Sequence, residues 1–239
     1  MPRSSPARCA LRTVKLIRGY ADFAEGSCLI EQGGTRVLCT ASLEKRVPDF
    51  LKGKGRGWVT AEYAMLPRAT TERNPRDAGR GKPNSRGIEI SRLVGRALRA
   101  AVDLQKLGEH SLMIDCDVLR ADGGTRCASI TGGMIALADA LSWMRKQKLI
   151  AGDPLQRLVA AVSVGIVDGR PALDLCYAQD VKAEVDMNFI MTEDGRFVEI
   201  QGTAEHEPFT DRQFAALKRL AAQGIRDLIR AQKRALGRP

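Results

Sequence analysis

The apolar residues of this chain switch spacing twice, from alternation to the helical repeat. That double switch confines the chain to folds in which helices cover a sheet. Ser27–Glu31 and Thr35–Leu43 flank Gln32-Gly33-Gly34, a hairpin signal, with Val37, Cys39 and Ala41 alternating against Arg36, Leu38 and Thr40. Trp58–Ala64 reads as a further strand. From Arg86, residues Ile90, Leu93, Val94, Ala97, Leu98 and Ala101 recur at helical spacing, predicting a helix that ends before Gly108. The style then repeats. Ser111–Leu119 reads as a strand, Ala121-Asp122-Gly123-Gly124 as a turn, and Thr125 to Lys148 as a long helix striped by Ile130, Met134, Leu137, Leu141 and Met144. Two hairpins follow: Leu158–Val167 with Pro171–Tyr177, and Glu184–Met191 with Arg196–Gln201. A capping-box spacing from Thr210 to Gln213 opens a last helix through Phe214, Leu217, Leu220, Ile225, Leu228 and Ile229. The expected class is α/β (α+β), a mixed sheet covered by helices. No Gly/Ser or Pro linker divides it, so residues 1–239 are expected to form one domain.

Several function classes drop out on motif and charge. The chain shows no G-x-S-x-G elbow, no Walker loop, no C-x-x-C and no H-E-x-x-H. Its two histidines, His110 and His206, stand far from any second ligand in sequence, and the six cysteines read as small buried hydrophobes. The first residues lack an apolar signal core, and the longest apolar run, Leu158 to Val167, is about half the length a bilayer needs. A soluble, cytoplasmic protein without membrane association is therefore expected. The formal net charge is +10 at pH 7, which favours a polyanionic partner such as nucleic acid or a phosphate-rich ligand, although a basic surface can also serve solubility alone.

Four features could carry chemistry. The tetrapeptide GGTR occurs at Gly33–Arg36 and again at Gly123–Arg126. The first copy joins two strands, where the glycines supply a tight hairpin turn. The second follows a strand and opens a helix, where Gly124, Thr125 and Arg126 could hold a phosphate on free N–H groups, a hydroxyl and a planar fork. An ordinary strand-to-helix turn is the alternative. Arg86 opens the other helix, and a cation there is disfavoured by the helix dipole unless an anion joins it. Asp174, Asp180 and Asp186 cluster in LDLCYAQDVKAEVDMN, where Asp186 and Asn188 share one strand face and Met187 and Phe189 the other. Paired carboxylates could hold Mg²⁺ or act as acid and base, whereas a solvated edge-strand aspartate is the plainer reading. Finally, the long loop PRATTERNPRDAGRGKPNS, between Pro67 and Ser85, carries Arg68, Arg73, Arg76 and Arg80 and suits an RNA backbone or a solvated surface.

These residues also sit in ordered blocks: GYADFAEGSCLIEQGGTRVLCTAS, SRGIEISRLVGRALRA, IDCDVLRADGGTRCASITGG and AEVDMNFIMTEDGRFVEIQGTAEHEPF. Through nearly its whole length the chain resembles the bacterial ribonuclease PH family. The resemblance implies a two-layer fold like the second domain of ribosomal protein S5, and a homohexamer built as a trimer of dimers. It implies a phosphorolytic 3′ exoribonuclease that trims tRNA precursors, with inorganic phosphate as co-substrate and Mg²⁺ as cofactor. By motif match, Arg86, Gly124, Thr125 and Arg126 would bind phosphate, and Asp180 and Asp186 would be the catalytic carboxylates, positioning Mg²⁺ or handling the proton of the leaving 3′-oxygen. Arg68, Arg73, Arg76 and Arg80 would face the RNA or a subunit interface. A catalytically silent, RNA-binding ring subunit of an exosome-type assembly is the alternative function. Two positions depart from the family pattern: Gln179 stands where an acid is frequent, and His206 where glycine is common.

Overall fold

The computed structural model of the chain describes residues 8–76 and 84–238. Its first half forms a five-stranded sheet from β1 (Val14–Arg18), β2 (Gly26–Gln32), β3 (Thr35–Glu44), β4 (Trp58–Met65) and β5 (Ser111–Arg120), in the order β1-β2-β3-β5-β4. All neighbours are antiparallel except β4 and β5, which run parallel, as the intervening helix α1 (Ser85–Arg99) requires. The second half forms an antiparallel sheet, β7-β6-β8-β9, from β6 (Val159–Val167), β7 (Arg170–Leu173), β8 (Val185–Thr192) and β9 (Phe197–Ala204). A short helix α3 (Tyr177–Asp180) precedes β8, and α4 (Asp211–Leu236) closes the fold over β6, β7 and β1.

Between the sheets lies α2 (Thr125–Lys146), which packs on β2 and β3 of one and β6 of the other. Its sequence predicts a single apolar stripe, but burial extends around the helix, from Ile130 and Met134 to Ala128, Ser129, Ile135 and Ala138. Small residues let the sheet come close. A Cβ on Gly132 would stand 2.7 Å from Ile30 Cγ2. By length and composition α2 could cross a membrane, yet 83% of its most apolar window is buried inside the fold, as befits a core helix. The apolar core is continuous from Ile30 and Val37, through Leu137 and Leu141, to Val162, Phe189 and Leu228. Truncating one such side chain to alanine typically costs about 2–5 kcal/mol.

Local chemistry accounts for the departures from the expected elements. The first helix stops at Arg99, before Gly108 as expected, and Asp103 Oδ1 then accepts the Gln105 and Lys106 N–H groups, forming a turn that competes with a helix. That turn returns Leu104 and Leu107 to the core. The strand expected over Pro171–Tyr177 ends at Leu173, because Asp174 takes a left-handed φ of 57°. Strand β1, with its exposed Ile17, was not expected at all. Four cysteines are buried as anticipated, but Cys9 is exposed and Cys176 only half-buried.

Candidate active site

The second GGTR copy begins where β5 releases the chain. Gly123 (φ 74°) and Gly124 (φ 66°) are both left-handed, a conformation that costs any other residue about 1–2 kcal/mol. A Cβ on Gly123 would also run into the Leu175 carbonyl oxygen. Gly124 is the N-cap of α2 and, having no side chain, caps nothing; the first turn of α2 carries no acid. The positive end of a fully formed helix is thus left facing open space. Thr125 Oγ1 lies 2.8 Å from Tyr63 Oη, and Arg126 Nη1 donates to Gln201 Oε1 at 2.9 Å and Glu89 Oε1 at 3.4 Å.

A second helix start faces the same space. Asn84 caps α1 by accepting the Arg86 N–H at 3.1 Å, and the first turn of α1 also lacks an acid. Arg86 has no ion-pair partner among the described residues. Asn84, Arg86 and Gly87 line one cleft of about 550 Å³ with Gly123, Gly124, Thr125 and Arg126. Two helix N-termini and two arginines converge there, a field suited to an anion.

Across the cleft stand Asp180, at the end of α3, and Asp186, on β8. β8 is flanked by β6 and β9, so the solvated edge-strand reading of Asp186 fails. Met187 and Phe189 fill the core as expected, while Asn188, on the face of Asp186, is itself buried and accepts a bond from Cys127 Sγ at 3.1 Å. Burial, then the neighbouring Asp180 charge, pushes the Asp186 carboxyl up to about 6, against the opposing pull of Arg126 and Arg86. Burial likewise raises Asp180, and Arg86 and Arg126 again oppose it. Asp186 Oδ1 is buried with no hydrogen-bond partner. No group of three or more metal-ligating side chains occurs among the described residues.

Asp174 does not belong to this wall. It is 1% exposed and bonded to Arg12 and Gln32 behind the cleft. Of the basic loop, Thr70, Asn74 and Pro75 line the cleft, while Arg68, Arg73 and Arg76 are exposed and do not line it. Arg80 lies outside the described residues. Gln179 turns its amide oxygen to the Cys176 N–H at 3.2 Å, capping α3 and standing apart from the carboxylates' side of the cleft. Sequence reasoning missed Tyr63, Glu205 and Ser163, which also line the cleft. No local motif marks them, because they arrive from β4, the end of β9 and β6 through tertiary pairing.

A cationic cradle opposite two carboxylates can hold two phosphoryl groups against each other. The profile described as 3′ exoribonuclease family, domain 1, matches residues 10–141, and that for domain 2 matches residues 157–224. Ribonuclease PH of Corynebacterium efficiens is 58% identical over 231 residues, 97% of this chain and 94% of its own. Ribonuclease PH of Methylobacterium nodulans is 57% identical over 227 residues, 95% of this chain and 96% of its own. Among solved structures, Rrp46 of rice (Oryza sativa) superposes with a TM-score of 0.76 at 16% identity, covering 96% of this chain and 97% of that one. The Archaeoglobus fulgidus exosome with RNA bound to the active site gives 0.78 at 22% identity, covering 92% and 88%. The structural matches establish the fold, the sequence matches establish descent, and the chain belongs to the 3′ exoribonuclease family in its ribonuclease PH branch.

Proposed function

We propose that this chain is a phosphorolytic 3′-to-5′ exoribonuclease that trims the 3′ ends of tRNA precursors. The observation that carries the reading is the single cleft in which Arg86, Gly124, Thr125 and Arg126 face Asp180 and Asp186. Inorganic phosphate sits on the two arginines and the N-terminal amides of α2, which offset its charge and aim one oxygen at the terminal phosphodiester. A bond forms from that oxygen to phosphorus, and the bond from phosphorus to the 3′-oxygen of the preceding nucleotide breaks. A nucleoside 5′-diphosphate leaves, and the proton of the incoming hydrogen phosphate balances the 3′-hydroxyl of the shortened RNA.

Asp180 and Asp186 fit Mg²⁺, which takes one or two carboxylates together with substrate phosphate oxygens. The unpartnered Asp186 Oδ1 supports this assignment. Bound there, the ion would neutralise charge on the phosphodiester. The protein's part is to hold both carboxylates at the cleft wall. Arg68, Arg73 and Arg76 flank cleft-lining residues and supply sequence-independent attraction for the RNA backbone or contacts between subunits; Arg80 is assigned with them from sequence alone. Family likeness supports a cytoplasmic homohexamer, a trimer of dimers. A silent RNA-binding subunit would need the basic loop but not the cradle and the carboxylates, which here meet in one cleft.

The test incubates the purified protein with a 3′-extended tRNA, Mg²⁺ and phosphate. Nucleoside diphosphates released only when phosphate is present are expected. Monophosphates released without added phosphate would mean hydrolysis and overturn the reading.

A further inference from the structure

We propose that Arg12 and Asp174 are positioning residues that lock the phosphate cradle to the segment carrying Asp180; the proposal rests on the active-site reading above. Neither residue touches the cleft, and both are buried, Arg12 at 6% and Asp174 at 1% exposure. Arg12 Nη2 donates to Asp174 Oδ1 at 2.6 Å, and the Arg12 backbone N–H donates to Oδ2 at 2.9 Å. The same guanidinium reaches the second GGTR turn, donating through Nη1 to the Asp122 carbonyl at 2.6 Å and through Nη2 to the Gly123 carbonyl at 3.4 Å. Thr35, from the first GGTR copy, closes the arrangement. Its hydroxyl accepts the Asp122 N–H at 3.0 Å and donates to the Gly123 carbonyl at 2.7 Å.

The direction of these bonds matters. In a trans peptide the N–H points opposite to the C=O. Drawing the Asp122 and Gly123 carbonyls toward Arg12 therefore turns the Gly123 and Gly124 N–H groups away from it, and both glycines line the cleft. On its other side the clamp holds Asp174, whose left-handed turn ends β7 and sends the chain through Leu175 and Cys176 into α3 and Asp180. Asp174 N–H and Leu175 N–H are tied in turn to the carbonyl and hydroxyl oxygens of Ser163, at 2.7 and 3.1 Å. One buried ion pair thus grips the cradle with one end and the carboxylate segment with the other. A buried ion pair is a poor way to gain stability alone, since apolar residues can do as well. This one even leaves Arg12 Nε unpartnered while its other donors hold the turn.

The experiment compares Arg12→Lys, Thr35→Val and Arg126→Lys in the full assembly, with Arg36→Lys as a control. Folding is checked by thermal melting and RNA affinity is measured without phosphate. Lysine replaces the two-nitrogen planar fork with a single nitrogen, and valine removes only the bridging hydroxyl. Both variants should raise the KM for phosphate by about tenfold and lower kcat, as misplacement of reacting groups does. RNA affinity should stay within about twofold, because the charge of the loop is untouched. If Arg12→Lys fails to fold, the isosteric Thr35→Val decides. An unchanged phosphate KM in folded Thr35→Val and Arg12→Lys, alongside a raised one in Arg126→Lys, would overturn the clamp and leave the cradle standing. An unchanged value in Arg126→Lys would remove the cradle itself. Phosphate and RNA binding weakening together, in step with a lost folded fraction, would reduce the pair to a structural role and also overturn the proposal.

Discussion

The two GGTR copies share four residues and almost nothing else. In the first, Gly33 turns a hairpin, Thr35 is fully buried, and Arg36 reaches across the strands to Glu31 at 2.9 Å. In the second, two left-handed glycines in succession open a helix, Thr125 meets Tyr63, and Arg126 lines the cleft. What differs is the element that follows. A strand after the turn satisfies its own N–H groups through the ladder, whereas a helix leaves its first ones free. The two copies are also physically joined, because Thr35 of the first bonds the peptide that precedes Gly124 of the second. Of two identical tetrapeptides, one lines the cleft and the other bonds to it from behind.

The comparison breaks most sharply at the carboxylates, which face only the second copy. Asp180→Asn and Asp186→Asn should each lower turnover by at least about a hundredfold while RNA binding persists, measured as diphosphate release and filter binding. Full activity in either variant would leave that residue a structural role. Next come the glycines. Gly123→Ala must enter a left-handed conformation, at about 1–2 kcal/mol, and also displace the Leu175 backbone. Gly34→Ala meets only the Asp122 side chain and should melt at a clearly higher temperature than Gly123→Ala. Equal melting would show that the second turn tolerates a side chain.

The arginines give a smaller, cleaner contrast. Arg126→Lys keeps the charge but loses the planar fork, so the phosphate concentration for half-maximal rate should rise about tenfold, whereas Arg36→Lys should leave it unchanged. A pH effect is smallest. In the metal-free protein the Asp186 carboxyl sits at about 6, above its ordinary 3.8. Between those values the folded state keeps a proton that the unfolded chain has lost, so this group's contribution makes stability fall as pH rises through the window. Asp186→Asn removes the buried charge. With chelator present, the variant should melt above the wild type at pH 8, by a margin that closes toward pH 4. A margin independent of pH would detach the penalty from ionisation.

Most of the fold was legible because its elements declare themselves by period. Ile90 to Ala101 and the capping box at Thr210 needed no tertiary context. The site was legible where a motif is continuous, as at Gly123–Arg126 and Val185–Asn188. It was not legible where burial reverses the local impression. Asp174 looks like Asp186 in sequence, yet one lies behind the cleft in an ion pair and the other in its wall. Arg12 could not be found at all. Its partners lie 110 and 162 positions away, and nothing in its neighbours marks it. The all-round burial of α2 escaped for a related reason, since its small residues read as neutral until sheets close on both sides of the helix.

The second of those sides bears on how the protein is made. Synthesis delivers the first sheet, α1 and the whole of α2 before any residue of β6 or α4 has left the ribosome. During that interval the side of α2 that packs on β6, where Thr131 bonds Ala161, has no cover and stands open to other nascent chains. The cradle is thus born on a helix that stays adhesive until its opposite wall arrives. Release of a chain ending near Lys146 should therefore yield aggregate rather than a small phosphate-binding protein.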